Sequence, residues 1–128
     1  MIDLTITEAL AKLKSREISA TELTRAYIDR IEKYGADLNC YITTTPERAL
    51  SDAAASDARY AAGAALALDG MPIAMKDLFC TRGIRTTAAS KMLENFIPEK
   101  STNILSQIWF ITPLTLTKIT QAKNSLRK

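Results

Sequence analysis

The residue types that carry most enzyme chemistry are thin in this chain, and their absences decide a good deal. There are no histidines among the 128 residues. Zinc sites built on imidazole, Cys–His nucleophile pairs and Ser–His–Asp triads are therefore excluded within the chain. The two cysteines, Cys40 and Cys80, stand far apart in no metal-like spacing, so no metal site is expected. Eight serines occur, at 15, 19, 51, 56, 90, 101, 106 and 125, and none adjoins a glycine. A Gly/Ser run able to present a nucleophile with an oxyanion hole is missing, and such holes contribute a few kcal/mol of barrier lowering. What remains is Lys76-Asp77, directly after the apolar run Met71-Pro72-Ile73-Ala74-Met75. That run reads as a short buried strand. From position alone, a Lys-Asp pair there reads as a solvated strand end.

The composition is that of an ordinary globular chain, 47% hydrophobic and 24% charged, of a length that permits one modest core. The formal charge of +3 is unevenly placed. Residues 1–98 carry 12 Lys/Arg against 13 Asp/Glu, whereas residues 99–128 carry five Lys/Arg and one Glu. The excess belongs to the last 30 residues, which is weak support for a nucleic-acid face on the body. The same boundary divides the composition: 18 alanines and all four glycines precede residue 99, and one alanine and no glycine follow it. The expected organisation is thus residues 1–98 as one unit and 99–128 as a divergent tail, read out of frame or replaced after a deletion. The N-terminal stretch lacks a basic region followed by an apolar one and a cleavage site, so no secretory signal is expected. No apolar run approaches the roughly 20 residues that span a bilayer. A cytoplasmic protein with reduced thiols, and no membrane partner, is the expectation.

The elements that must position Lys76 are well punctuated. Thr5 with Glu8, and Ser19 with Glu22, have capping-box spacing and open two helices. Ile6, Ala9, Leu10 and Leu13 form the apolar stripe of the first; Leu23, Tyr27, Ile31 and Tyr34 form that of the second, with Gly35 as its expected stop. Leu38 to Thr44 reads as a short strand. Thr45 and Pro46 open a third, alanine-rich helix, reaching Leu68 at most, with Gly63 as a soft spot. Asp69-Gly70 is a turn. Residues 78–98 read as loop and short elements, and the Leu114, Leu116 alternation between threonines hints at a strand in the tail.

The stretch Leu68-Asp-Gly-Met-Pro-Ile-Ala-Met-Lys-Asp77 resembles the segment of amidase-signature enzymes that delivers their catalytic lysine. The continuation Arg82-Gly-Ile-Arg-Thr-Thr-Ala-Ala-Ser-Lys-Met-Leu-Glu-Asn-Phe-Ile-Pro98 is similar to one branch of that family, the A subunits of glutamyl-tRNA(Gln) amidotransferases. The two N-terminal helices and Leu38 to Glu47 agree as well, so the resemblance covers about residues 1–98. It implies an α/β fold with a mixed sheet flanked by helices, of which this chain supplies the N-terminal helices and first strands.

The resemblance also implies a function. The family's A subunit is a glutaminase that releases ammonia from glutamine for a companion B subunit. That companion uses ATP to activate Glu-tRNA(Gln), yielding Gln-tRNA(Gln) for translation, and a small C subunit clasps the two. The family's chemistry uses a serine nucleophile, a second serine on a cis peptide bond and a lysine. Only the lysine matches a position here, Lys76. A neutral lysine amine can take a serine's proton, and burial that lowers its pKa by a few units makes it neutral near pH 7. The end of an apolar strand is where such burial is expected. The serine segments are absent, so the chain is expected to be inactive alone, to bind no cofactor itself, and to meet ATP and tRNA only through the complex. A different class of function stays open beside it: a non-catalytic module whose helices bind a companion subunit. Two strands and helices lacking a full sheet are expected to fold weakly alone, an expectation that a sharp thermal transition would contradict.

Overall fold

The computed structural model describes residues 3–102 and the backbone of residues 115–119. In chain order the elements are helix α1 (Ile6–Ser15), helix α2 (Ala20–Leu38), strand β1 (Tyr41–Thr43), helix α3 (Pro46–Ala61), strand β2 (Pro72–Lys76), a 3-10 turn (Lys91–Leu93) and strand β3 (Thr115–Ile119). The sheet has the order β1-β3-β2. β1 pairs with β3 antiparallel and β2 pairs with β3 parallel, so the sheet is mixed. This is the α/β arrangement that the sequence implies, with one difference. The strand hinted at in the tail belongs to the same sheet and lies at its centre, rather than in a divergent segment apart from residues 1–98. Leu116 lies in β3, and Leu114 falls outside the described residues.

Both capping boxes form as the spacing predicts. The Thr5 hydroxyl accepts from the Glu8 N–H, and the Glu8 carboxylate accepts from the Thr5 N–H at 2.8 Å. Ser19 and Glu22 repeat the exchange at 3.0 and 2.8 Å. The start of α2 has a further acceptor that the sequence did not reveal. The Asp57 carboxylate, from α3, accepts the N–H groups of Ala20 and Thr21 at 2.6 and 3.1 Å and the Thr21 hydroxyl at 2.6 Å. A carboxylate at that point also meets the positive end of the α2 dipole.

Gly35 does not end α2. The helix continues to Leu38 and closes at Asn39, whose φ of 45° is left-handed and whose N–H donates to the Gly35 carbonyl at 2.8 Å. Asparagine tolerates that conformation almost as glycine does, so the competing stop signal lay four residues on. In consequence Tyr34 and Leu38, at the C-terminal end of the stripe, are exposed, while Leu23, Thr24 and Ile28 are buried. α3 ends at Ala61, before the expected limit, and Gly63 with φ 69° takes the left-handed position just past it. The Arg16 guanidinium donates to the carbonyls of Tyr60 and Ala61 at 3.0 Å each, satisfying groups that the helix end leaves open.

The core joins α1, α2 and α3 through Ala9, Leu13, Ala20, Leu23 and Ala53. Three of these five are alanines, one from each helix, which lets the three helices approach closely while burying little area per residue. Gly70 completes the contact. It has φ 75°, and a Cβ there would stand 2.8 Å from the Ala20 Cβ. Both demands, the left-handed backbone and the close approach, require glycine. A second small cluster, Met75 and Ile84 with Ile73 and Phe79 against it, lies beneath β2. β2 is therefore less buried than the apolar run suggests: only Met75 is fully covered, and Ala74 is exposed.

Candidate functional site

Lys76 is the last residue of β2, in register with Ile119 of β3. Pro72 opens the strand, where its missing N–H is tolerated, and the period of two then decides which side chains turn inward. Met75 and Asp77 are buried; Lys76 between them is exposed. The expected burial of Lys76 is thus not what these residues provide. The alternation that puts Met75 into the core turns Lys76 out. Its amine stands at the C-terminal end of a parallel strand pair, the edge at which open α/β sheets generally bind ligands.

The backbone that presents Lys76 is tightly braced. The Lys76 carbonyl accepts from the Phe79 N–H at 3.1 Å, closing a turn. Asp77, 1% exposed, directs its carboxylate beneath the Thr87 segment. Both oxygens lie 3.1 Å from the Thr87 nitrogen, and the Thr87 hydroxyl also donates to the carboxylate. The Asp77 carbonyl accepts from the Ala88 N–H at 3.2 Å. The Thr87 hydroxyl oxygen in turn accepts from the Ala89 N–H at 3.2 Å, and the Thr87 carbonyl accepts from Ser90 N–H at 2.8 Å. These bonds hold two consecutive non-glycine residues, Ala88 and Ala89, at φ 48° and 58°. Each left-handed alanine costs about 1–2 kcal/mol, which persists only where the surroundings over-determine it.

The remainder of the segment is tied on all sides. Arg85 donates to the Ile42 carbonyl at 2.9 Å and to the Thr43 hydroxyl at 3.3 Å, joining it to β1. Gly83 N–H donates to the Pro98 carbonyl and Thr86 N–H to the Phe96 carbonyl, both at 3.0 Å. A cleft of about 380 Å³ opens between β1 and this segment, with Tyr41, Arg85, Thr87, Ser90 and Glu94 in its wall. Lys76 does not line it. A larger cleft of about 480 Å³ lies along the end of α2, among Tyr27, Arg30, Ile31, Tyr34 and Leu38, and Lys76 is not in that one either.

The described serines near the site are engaged in structure. Ser90 accepts from Met92 N–H and caps the 3-10 turn. Ser101 accepts from Arg82 N–H at 3.0 Å. Ser56 is fully buried and donates to Asp69 at 2.5 Å. Asp69 is itself fully buried and receives Arg59 through two bonds, at 2.6 and 2.7 Å. Burial pushes the Asp69 carboxyl up, but the hydrogen bonds from Arg59 and Ser56 outweigh it and hold the group below the ordinary carboxylate range. This cluster fixes the turn that leads into β2. Among the described residues no group of three or more His, Cys, Asp or Glu side chains is placed to hold a metal.

From position alone the Lys76-Asp77 pair reads as a solvated strand end, which holds for exposed Lys76 but not for Asp77, which is buried and with Thr87 fixes the surroundings of the lysine. The alternation of β2 carries the signal: whatever follows an outward lysine at a strand end points the same way as Met75. The Asp69–Arg59 pair has no such signal, since a ten-residue separation across a turn has no characteristic pattern.

A braced turn at the end of a parallel strand, inside an α/β frame with N-terminal helices, defines a class. The amidase family model matches residues 22–108, and the chain belongs to that family. The match runs past Pro98, where the composition changes. At the level of particular proteins, the chain is similar to the A subunits of glutamyl-tRNA(Gln) amidotransferases. It is 52% identical to that of Caulobacter sp. (strain K31) over 109 residues, 85% of this chain and 22% of the relative. It is 53% identical to that of Geobacter metallireducens over 98 residues, 77% of this chain and 20% of the relative. The chain therefore spans about a fifth of the length of these relatives. Its fold is also that of the peptide amidase from Stenotrophomonas maltophilia, with a TM-score of 0.84 at 24% identity, over 92% of this chain and 24% of that one. For fatty acid amide hydrolase the TM-score is 0.85 at 20% identity, over 95% and 22%. Among the described residues no helix is long and apolar enough to cross a membrane.

Proposed function

We propose that this chain is the lysine-bearing part of a glutaminase, the A subunit of a cytoplasmic amidotransferase that makes Gln-tRNA(Gln) from Glu-tRNA(Gln). The observation that carries this reading is the 52% identity to a named relative of that kind across the segment that contains β2 and the Asp77–Thr87 brace. In it Lys76 is the general base of a serine nucleophile, acting through a second hydroxyl, and both serines come from segments that this chain does not contain. The brace sets where the amine stands. The segments that carry the serines also enclose it, supplying the burial that β2 does not. The chain alone releases no ammonia. Glutamine is the donor, ATP is consumed by the companion B subunit, a C subunit joins the two, and the tRNA is met only through the assembled complex.

The decisive experiment grafts residues 3–98 into the Caulobacter relative in place of its own segment and follows ammonia release from glutamine. Activity is expected in the chimera and none in its Lys76→Ala variant. Full activity with Lys76→Ala, or ammonia release by this chain alone, would overturn the assignment.

A second reading is favoured by the cleft along α2. Tyr34 and Leu38 are exposed beside half-buried Tyr27 and Ile31, a surface suited to an apolar helix of a companion subunit in a non-catalytic role. Co-purification with a companion subunit, lost with Leu38→Asp and indifferent to Lys76→Ala, would favour it.

A further inference from the structure

Exposed apolar side chains are concentrated just downstream of Lys76. Among the described residues nine large apolar side chains are exposed, and five of them, Leu78, Met92, Leu93, Phe96 and Ile97, fall within residues 78–97. Met92 is 94% exposed and Ile97 59%. Scattered apolar residues on a surface are ordinary, whereas a concentration of them marks a surface that another body covers.

Local looseness does not explain the exposure. The bonds from Gly83 to Pro98, from Thr86 to Phe96 and from Phe96 N–H to the Leu93 carbonyl are each 3.0 Å. Asp77 holds Thr87 from beneath, and the left-handed pair Ala88–Ala89 is fixed between them. The surface has its shape before anything meets it, which lowers the ordering cost of binding. Next to it, β2 pairs on one side only among the described residues, since the sheet order leaves it at an edge. An open strand edge beside a rigid apolar surface is a place for strand addition.

What covers such a surface follows from length. The chain reproduces the peptide amidase fold over 92% of its own residues while spanning 24% of that protein. The other segments of a family domain have to pack against outward faces of this one, and these residues and the β2 edge are the faces suited to it.

We propose that Leu78, Met92, Leu93, Phe96 and Ile97 form the docking face for the remaining portion of an amidase domain, and that they hold that portion even as a separate polypeptide. The docking needs only the fold; ammonia release by the assembled pair rests, in addition, on the glutaminase reading.

The test co-expresses the full chain with the portion of the Caulobacter relative that follows its aligned segment. A 1:1 complex by size exclusion with light scattering is expected. Met92→Asp and Ile97→Asp together should weaken it about tenfold or more, as loss of central apolar contacts does. Met92 is so exposed that its replacement alone leaves the chain's own folding intact, and circular dichroism checks this. The same two pieces joined by a linker show whether the added portion can fold. A folded joined form with no association of the separate pieces overturns the proposal, as does self-association of the chain alone or a complex indifferent to the substitutions. A complex that releases no ammonia supports the docking face and overturns the glutaminase reading.

Discussion

Both carboxylate oxygens of Asp77 lie 3.1 Å from the Thr87 nitrogen, and both residues are buried. The residue beside the candidate base thus acts ten positions along the chain. It converts a loop containing two left-handed alanines into a fixed wall next to the end of β2.

Replacing Asp77 by Ala should leave the Thr87 N–H and hydroxyl without their acceptor. An unsatisfied buried donor costs about 1–3 kcal/mol. The expected result is a lower urea midpoint with faster amide exchange at Thr87, Ala88 and Ala89 than in α1. Loss of protection spread evenly over the chain would mean that Asp77 does not act locally.

Asp69 predicts a specific pH dependence. Its carboxyl is held below the ordinary range in the folded state, with Arg59 and Ser56 as the stabilising partners. The folded pKa is lower than the unfolded one, so this contribution is complete above the ordinary carboxylate pKa. It is lost as pH falls from there through the folded value. Asp69→Asn should abolish that part of the acid destabilisation and lower stability at pH 7 by about 2 kcal/mol, the scale of hydrogen bonds to a charged group. Urea titrations of both proteins between pH 7 and pH 2 would show it. Parallel pH curves for the two would refute the role given to Asp69.

The glycines at 63 and 70 should respond differently to alanine. Both have positive φ, 69° and 75°, but a Cβ at Gly63 meets nothing within 4 Å, whereas at Gly70 it meets Ala20 at 2.8 Å. Gly63→Ala should cost about 1–2 kcal/mol, the left-handed penalty alone. Gly70→Ala adds overpacking of about 1–3 kcal/mol to the same penalty. Equal melting temperatures for the two variants would contradict the close packing of α2 against the turn before β2.

The start of α2 has two independent caps. Ser19→Ala removes the acceptor for Glu22 N–H, and Asp57→Ala removes that for Ala20 and Thr21. Each should lower stability by about 1 kcal/mol, as loss of an N-cap does. Because they serve different N–H groups, the double variant should lose nearly the sum. A double variant no worse than either single one would show that one cap suffices.

Events completed within a few residues are legible in the sequence. Thr5–Glu8 and Ser19–Glu22 mark helix starts because capping closes within four residues, and Pro46 marks a third for the same kind of reason. The run before Lys76 identifies β2, and the order of residues from Leu68 to Pro98 is enough to place the chain beside the amidase-signature enzymes. Where two local signals compete, residue type alone misleads: Gly35 is the stronger helix stop, but the helix runs on to Asn39.

Long-range packing settles whatever depends on which side of an element meets which neighbour. An apolar run of five does not say how deeply a strand is buried, so the outward turn of Lys76 emerges only with Met75 and Asp77 packed inside. The reach of Asp57 to α2, of Arg59 to Asp69 and of Asp77 to Thr87 spans separations of 37, 10 and 10 residues. Such contacts carry no periodic signature, because the chain between them folds by its own local rules. The place of Thr115–Ile119 between β1 and β2 is of the same kind. An alternating pattern foretells a strand, but its pairing partners and order follow from contacts between distant segments, which no short stretch of sequence encodes.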